Sequence, residues 1–149
     1  FEREHVFASR DRCEWAIDRT RSVIGKRYHY MRNFMTDRPL AQSSYRSKWP
    51  AFVRIQEMHD RGELTDAQAL PYGERPAEEL YDLHNDPHEL VNLVDDADHR
   101  AILTEMHKLL DAWIEDTGDK GQFPESEAAL RIVKQQFPEL AIGPEFRDL

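Results

Sequence analysis

EELYDLHNDPHELVNL, residues 78–93, carries the punctuation that decides the fold. Glu79 to Leu83 reads as a short strand. Asn85-Asp86-Pro87 is turn chemistry, because Asx side chains bond their own backbone and Pro presets φ. Beyond it lies the clearest helix of the chain, Ala97 to Thr117. Leu103, Met106, Leu110, Trp113 and Ile114 form a broad apolar stripe, Asp95 or Asp96 can cap its start, and Gly118 closes its end. A strongly one-sided helix must bury that stripe, and a sheet preceding it in the chain is the natural partner.

The strands needed for such a sheet stand upstream. Glu4 to Arg10 (EHVFASR) reads as one strand. Thr20 to Phe34 (TRSVIGKRYHYMRNF) reads as a hairpin turning at Gly25-Lys26. On its second arm Tyr28, Tyr30, Arg32 and Phe34 share one face, and Arg27, His29, Met31 and Asn33 share the other. Between these strands, Arg10 to Trp15 (RDRCEW) is charged and aromatic together, an unusual makeup for a bare connection. Ser47 to Arg61 looks helical, with Ser47 as cap, Pro50 in the first turn, Trp49, Phe52, Val53 and Gln56 setting the period, and Gly62 ending it. Thr65 to Gln68 fits a capping box that opens another short helix, stopped by Pro71. A last helix is expected from about Glu125 to Phe137, with Leu130, Val133 and Phe137 on one side. The expected fold is α+β: a small antiparallel sheet of about four strands packed on one long C-terminal helix, with additional short helices. Residues 1–149 are read as a single domain whose residues 118–149 form a helical tail.

At 149 residues, 40% hydrophobic and 33% charged, the chain has the composition of one globular domain with a real core. No apolar run approaches the roughly 18 residues of a membrane span. Phe1-Glu2-Arg3-Glu4-His5 is no basic-then-apolar leader, and with no initiator Met the chain reads as a piece of something longer. A net charge of -9 argues against nucleic acid as the main partner. The charge is uneven: residues 1–48 hold 11 Lys/Arg against 6 Asp/Glu (+5), and residues 49–149 hold 9 against 23 (-14). The basic third could face an anionic ligand; the plainer reading is a solvated strand surface.

The reactive residues do not assemble into an active site by sequence alone. Cys13 lies between Arg12 and Glu14, with no base assigned to it, and reads as a structural cysteine. His84 and His88 are four apart but Pro87 stands between them, so one helical face does not present both as metal ligands. His5 and His29 could meet only through strand pairing. Asp82, Asp86 and Glu89 are accounted for by the turn and by helix capping rather than by calcium. No glycine-rich phosphate loop, zincin helix or serine elbow is present. Catalytic and metal residues are therefore assigned to none of these positions.

The opening stretch resembles the C-terminal strand-turn-helix of the sulfatase family, in which ELYDL…DPHE…NL recurs. Arg21 to Phe34 (RSVIGKRYHYMRNF) resembles the family's preceding hairpin, R-S-V…RYKYIRN, and the helix ending near Trp113 also matches. The resemblance runs in order from residue 5 to about 117 and lies closest to the heparan N-sulfatase (sulfamidase) group and its bacterial relatives. It implies the smaller C-terminal domain of a sulfatase, whose partner is its own N-terminal catalytic domain. It also implies hydrolysis of sulfate esters or N-sulfate groups of sulfated saccharides by the whole enzyme, and a periplasmic or secreted location.

The family's nucleophile is a formylglycine made from Cys or Ser in a C-x-P-S-R-type motif. Here Cys13-Glu14-Trp15-Ala16-Ile17 has Trp15 where Pro belongs and Ile17 where Arg belongs. The resemblance therefore places the formylglycine and the Ca2+ ion in the catalytic domain, with no cofactor in this chain. The segment following the family's V-F-G/A strand, here Val6-Phe7-Ala8, faces the substrate. This makes Arg10, Asp11, Arg12 and Trp15 the candidate substrate-binding residues: guanidinium forks suit sulfate or carboxylate, and Trp15 would lie against a sugar ring. The alternative is a stand-alone module that binds anionic glycans or a protein partner. No nucleic acid or membrane partner is expected, and self-association is left open.

Overall fold

The computed structural model describes residues 3–149; Phe1 and Glu2, the start of the stretch read above for a leader, lie outside the described residues. Four strands, β1 (Val6–Cys13), β2 (Ala16–Ile24), β3 (Tyr28–Asn33) and β4 (Glu78–Asp82), form one antiparallel sheet in the order β1-β2-β3-β4. The long passage from β3 to β4 carries α1 (Pro50–Asp60) and α2 (Asp66–Ala69). After β4 come α3 (Arg100–Thr117) and α4 (Glu127–Gln136). The α+β arrangement of a four-stranded antiparallel sheet and one long helix is the one expected.

Register builds the core. Phe7, Val23, Tyr30 and Leu80 stand opposite one another across all four strands, giving an apolar row on one sheet face. α3 lies over that row. Its Met106 and Leu110 are buried with Val23, Tyr30 and Leu80, while Leu103, Trp113 and Ile114 pack around them. Trp113 stacks on Phe7 at 5.3 Å between ring centroids, which fixes the helix over the β1 edge. Next to this row and on the same face stand Ser9, Arg21, Arg32 and Glu78. Arg32 reaches Asp111 of α3 at 2.7 Å and Arg21 reaches Asp119 just beyond it, so the helix is held by apolar packing along its length and by ion pairs toward its end.

The 78–93 stretch owes its punctuation to this geometry. Asp82 accepts from the His84 N–H at 3.1 Å and from Asn85 Nδ2 at 2.8 Å, folding the turn back on the strand end. Asp86 Oδ2 accepts from the N–H groups of Leu90 and Val91. The chain then runs beside β4: Asn92 Oδ1 accepts from the Leu80 N–H, Asn92 Nδ2 donates to the Glu78 carbonyl, and the Leu93 N–H donates to the Leu80 carbonyl. The open side of an edge strand is thereby satisfied without a fifth strand. Asp96 caps the 3-10 turn Ala97–His99 that leads into α3, and Gly118, at φ 61°, ends the helix in the left-handed conformation.

Several boundaries differ from the sequence reading. β1 runs to Cys13, so Arg10 to Cys13 is strand; the connection is only Glu14 and Trp15, with Glu14 at φ 55°. The register shifts between Arg10 and Arg12, where Asp18 and Arg19 of β2 together oppose Asp11. Such a bulge re-aims side chains at a sheet edge. Ser47 does not cap α1. It belongs to the 3-10 turn Tyr45–Lys48, where its Oγ accepts from the Ser44 N–H, and the cap position falls to Trp49 ahead of Pro50. The apolar side chains of α1, Phe52, Val53 and Ile55, are exposed together with Trp49. The capping box at Thr65 and Gln68 is formed in both directions. α4 starts at Glu127 with Ser126 as cap; its Leu130 and Val133 join Ile17, Met35, Ala141 and Phe146 in a second apolar cluster against the β1–β2 turn.

Candidate functional site

An open cleft of about 630 Å3 lies where the β1–β2 hairpin meets the segment following α3. Asp11, Arg12, Arg19 and Arg21 line it from the strands. Asp119, Lys120, Gly121, Phe123, Pro124 and Glu125 line it from the loop. The bulge opposite Asp11 lies in this wall. A shallower neighbouring hollow, about 420 Å3, shares Asp119, Lys120 and Phe123 and reaches Arg32 and Asp111.

Arg21 organises the wall. Its side chain is 2% exposed, and Asp119 grips the guanidinium in a fork, Nε to Oδ2 at 2.8 Å and Nη2 to Oδ1 at 3.0 Å. Asp11 adds an ion pair at 2.9 Å, and Nη1 donates to the backbone carbonyls of Thr20 and Arg10. Burial works against the charged guanidinium, but the bonds to Asp119 and Asp11 outweigh it and hold its pKa above the ordinary value. The same pairing, helped by the Gly121 N–H, holds the Asp119 carboxyl below its ordinary value. Gly121 is glycine for space: a Cβ there would stand 1.9 Å from Arg21 Nη2 and 2.2 Å from its Cζ.

Of the residues expected to touch a substrate, Asp11 and Arg12 line the cleft, and Arg10 and Trp15 are not among its lining residues. Arg12 pairs with Glu125 across the cleft at 3.0 Å and donates to the Glu14 carbonyl. Arg10 lies 3.3 Å from the fully buried carboxylate of Asp18, which Arg75 also grips at 2.6 Å. Trp15 packs on Phe137 at 5.1 Å within the second apolar cluster. Reasoning from sequence missed Arg19, Arg21, Lys120 and Phe123. The arginines alternate along β2, which marks a shared face, but the loop that meets them lies 98 residues away at Asp119 and no local pattern joins the two.

Cys13 ends β1 with a partly exposed free thiol. Among the described residues no group of three or more His, Cys, Asp or Glu side chains stands close enough to hold a metal ion. His29 pairs with Glu89 at 2.8 Å, and Glu89 takes φ 55°, so both belong to the packing of the 84–93 segment.

No family model matches the chain. A curated ulvan-active sulfatase of Formosa agariphila is 33% identical over 128 residues, 85% of this chain and 22% of the relative. A second ulvan-active sulfatase of the same organism is 31% identical over 100 residues, 67% of this chain and 18% of the relative. The chain thus spans about a fifth of the length of the curated relatives it matches. Among solved structures, a candidate sulfatase of Bacteroides thetaiotaomicron aligns at TM-score 0.48 and 23% identity, covering 80% of this chain and 18% of that one. A 2-O GAG sulfatase aligns at TM-score 0.47 and 24% identity over the same shares. By sequence this chain is sulfatase-like over most of its length, and the part of a sulfatase it resembles is the C-terminal domain.

Proposed function

We propose that this chain is the C-terminal part of a sulfatase that hydrolyses sulfate esters or N-sulfate groups of sulfated sugars, and that its share of the work is to wall the substrate cleft. The observation that carries this reading is the likeness to sulfatases across 85% of the chain. Two features of the molecule support it. The cleft is lined by four cationic side chains, Arg12, Arg19, Arg21 and Lys120, in an otherwise acidic protein. The exposed apolar side chains of α1 suit a face that further polypeptide covers.

On this reading the family's formylglycine and calcium ion belong outside this chain. Cys13 lies beside a two-residue hairpin turn in a motif that departs from C-x-P-S-R, and no acidic cluster of ligand geometry exists among the described residues. Both groups would come from the N-terminal catalytic domain that is this chain's partner, and no chemical step is assigned to residues of this chain. What these residues can do is hold an anionic saccharide in register. Arg12 would trade its bond to Glu125 for one to substrate, as guanidinium forks do readily with sulfate or carboxylate.

The test is sulfate release from sulfated polysaccharide by the enzyme that carries this chain, ulvan being a first substrate to try because the curated relatives act on it. Arg12→Ala should raise KM about tenfold with kcat little changed, the signature of lost ground-state binding. Unchanged kinetics on every sulfated sugar would remove Arg12 from the substrate site.

A further inference from the structure

The cations of the cleft are not all spent. Asp11 and Asp119 are committed to Arg21, and Glu125 to Arg12. That uses every carboxylate lining the cleft and leaves Arg19 and Lys120. Arg19 Nε and Nη1 are buried and have no hydrogen-bond partner. The carboxylate that feels Arg19 from outside the cleft, Asp37, is bonded at both oxygens by Arg38, at 2.9 and 2.8 Å. Lys120 is exposed, with no ion pair among the described residues. Unpaired guanidinium N–H groups out of reach of water are costly, and each calls for an acceptor.

Beside these cations stands Phe123, 59% exposed on the cleft wall. Its N–H donates to the Lys120 carbonyl at 2.9 Å, so the ring and the ammonium are presented on one tight turn. An apolar ring, a free ammonium and a guanidinium lacking acceptors, converging on one concavity, make up the usual constitution of a small-molecule site.

We infer that this part of the cleft is a subsite for an oxyanion carried on a sugar ring, with Arg19 and Lys120 binding the anion and Phe123 stacking on the ring. The inference rests on the sulfatase reading for its saccharide and on the cleft alone for its anion. A carboxylate or a sulfate supplies the same acceptor chemistry, and the subsite would select saccharides charged at the unit that sits here.

The 149-residue chain is titrated with D-glucuronate, glucose 6-sulfate, glucose and inorganic sulfate while its backbone amide NMR spectrum is followed. The expected result is saturable shifts at Arg19 and at Lys120 to Glu125 with one or both charged sugars; which of them binds tells carboxylate from sulfate. Glucose should leave these amides unmoved. Lys120→Ala, at an exposed position where folding is safe, should weaken charged-sugar binding several-fold, and Arg19→Ala about tenfold. Phe123→Ala should weaken the charged sugars and leave inorganic sulfate unaffected. No shift with either charged sugar, equal binding of glucose, or wild-type affinity in both the Lys120 and Arg19 variants overturns the subsite. Sulfate release by the whole enzyme is read separately. If it is present while these variants bind normally, the subsite falls and the sulfatase reading stands; if it is absent while binding is lost in the variants, the reverse holds.

Discussion

At Arg21 a nearly buried guanidinium meets two carboxylates and two backbone carbonyls, and both walls of the cleft depend on it. Removing one partner of a buried ion pair strands the other charges. Arg21→Ala should therefore lower unfolding free energy by about 3–5 kcal/mol, read from urea midpoints at constant slope. Gly121→Ala tests the same contact from the opposite side. Its methyl would collide with a guanidinium that is pinned rather than free to swing, and a loss of about 1–3 kcal/mol is expected; a loss below about 0.5 kcal/mol would show that the contact is loose. Neither residue stands out in the sequence, because a glycine needed for space looks like any other until its distant neighbour is known. Asp82 was more legible. Its place before Asn85-Asp86-Pro87 marks the turn, and it does accept the turn's N–H groups. Arg27 is the chief cause holding the Asp82 carboxyl well below its ordinary value, with the His84 N–H and Asn85 adding to it. A carboxyl lowered in the folded state contributes stability that is complete above its unfolded pKa, about 4, and is lost as pH falls through the folded value. The destabilisation caused by Asp82→Asn should be full at pH 7 and should shrink on titration to strongly acidic pH. A difference in melting temperature that ignores pH would contradict this assignment.

Among the elements, α3 carries the most weight, and it is where the sequence speaks most clearly. The stripe from Leu103 to Ile114 names the buried face, and Gly118 names the end. Leu110, fully buried between β2, β3 and β4, should cost about 2–5 kcal/mol on truncation to Ala, since the sheet beneath cannot collapse into the void. Gly118→Ala should cost about 1–2 kcal/mol, because a Cβ disfavours the left-handed cap and not because anything touches it. A Leu110 variant no weaker than the Gly118 variant would mean that the helix is held by its ion pairs instead. The hairpin joining β2 to β3 and the Tyr28/Tyr30 face of β3 are likewise readable, although the turn centres on Lys26-Arg27, one residue beyond Gly25-Lys26, with the Gly25 N–H donating to the Tyr28 carbonyl. The end of β1 is not readable. Arg10 to Cys13 is too polar to read as strand, and it becomes one only because Ala16 and Ile17 fold back to pair with it. α1 forms where its period predicts a helix, yet its apolar side chains Phe52, Val53 and Ile55 stay exposed, which the period alone does not tell.

For the whole molecule, order along the chain was legible and approach across it was not. The succession of hairpin, ELYDL strand, turn and long helix is enough to reveal the likeness to sulfatases. The cleft depends on the loop after α3 returning to the β1–β2 hairpin, over separations of 98 residues for Arg21 and Asp119 and 113 for Arg12 and Glu125. Charge partition hinted at it, since the basic first third supplies Arg12, Arg19 and Arg21, but Lys120 and Phe123 come from the acidic remainder. The cation-lined cleft and the exposed apolar side chains of α1 are the features that support the proposal that this chain walls a larger active site. The measurement that tests this most directly is to read the native coding sequence upstream of the Phe1 codon. A continuous frame encoding a Cys/Ser-x-Pro-Ser-Arg motif ahead of this chain is the predicted result; a start codon immediately before Phe1, with no such motif in frame, would contradict it.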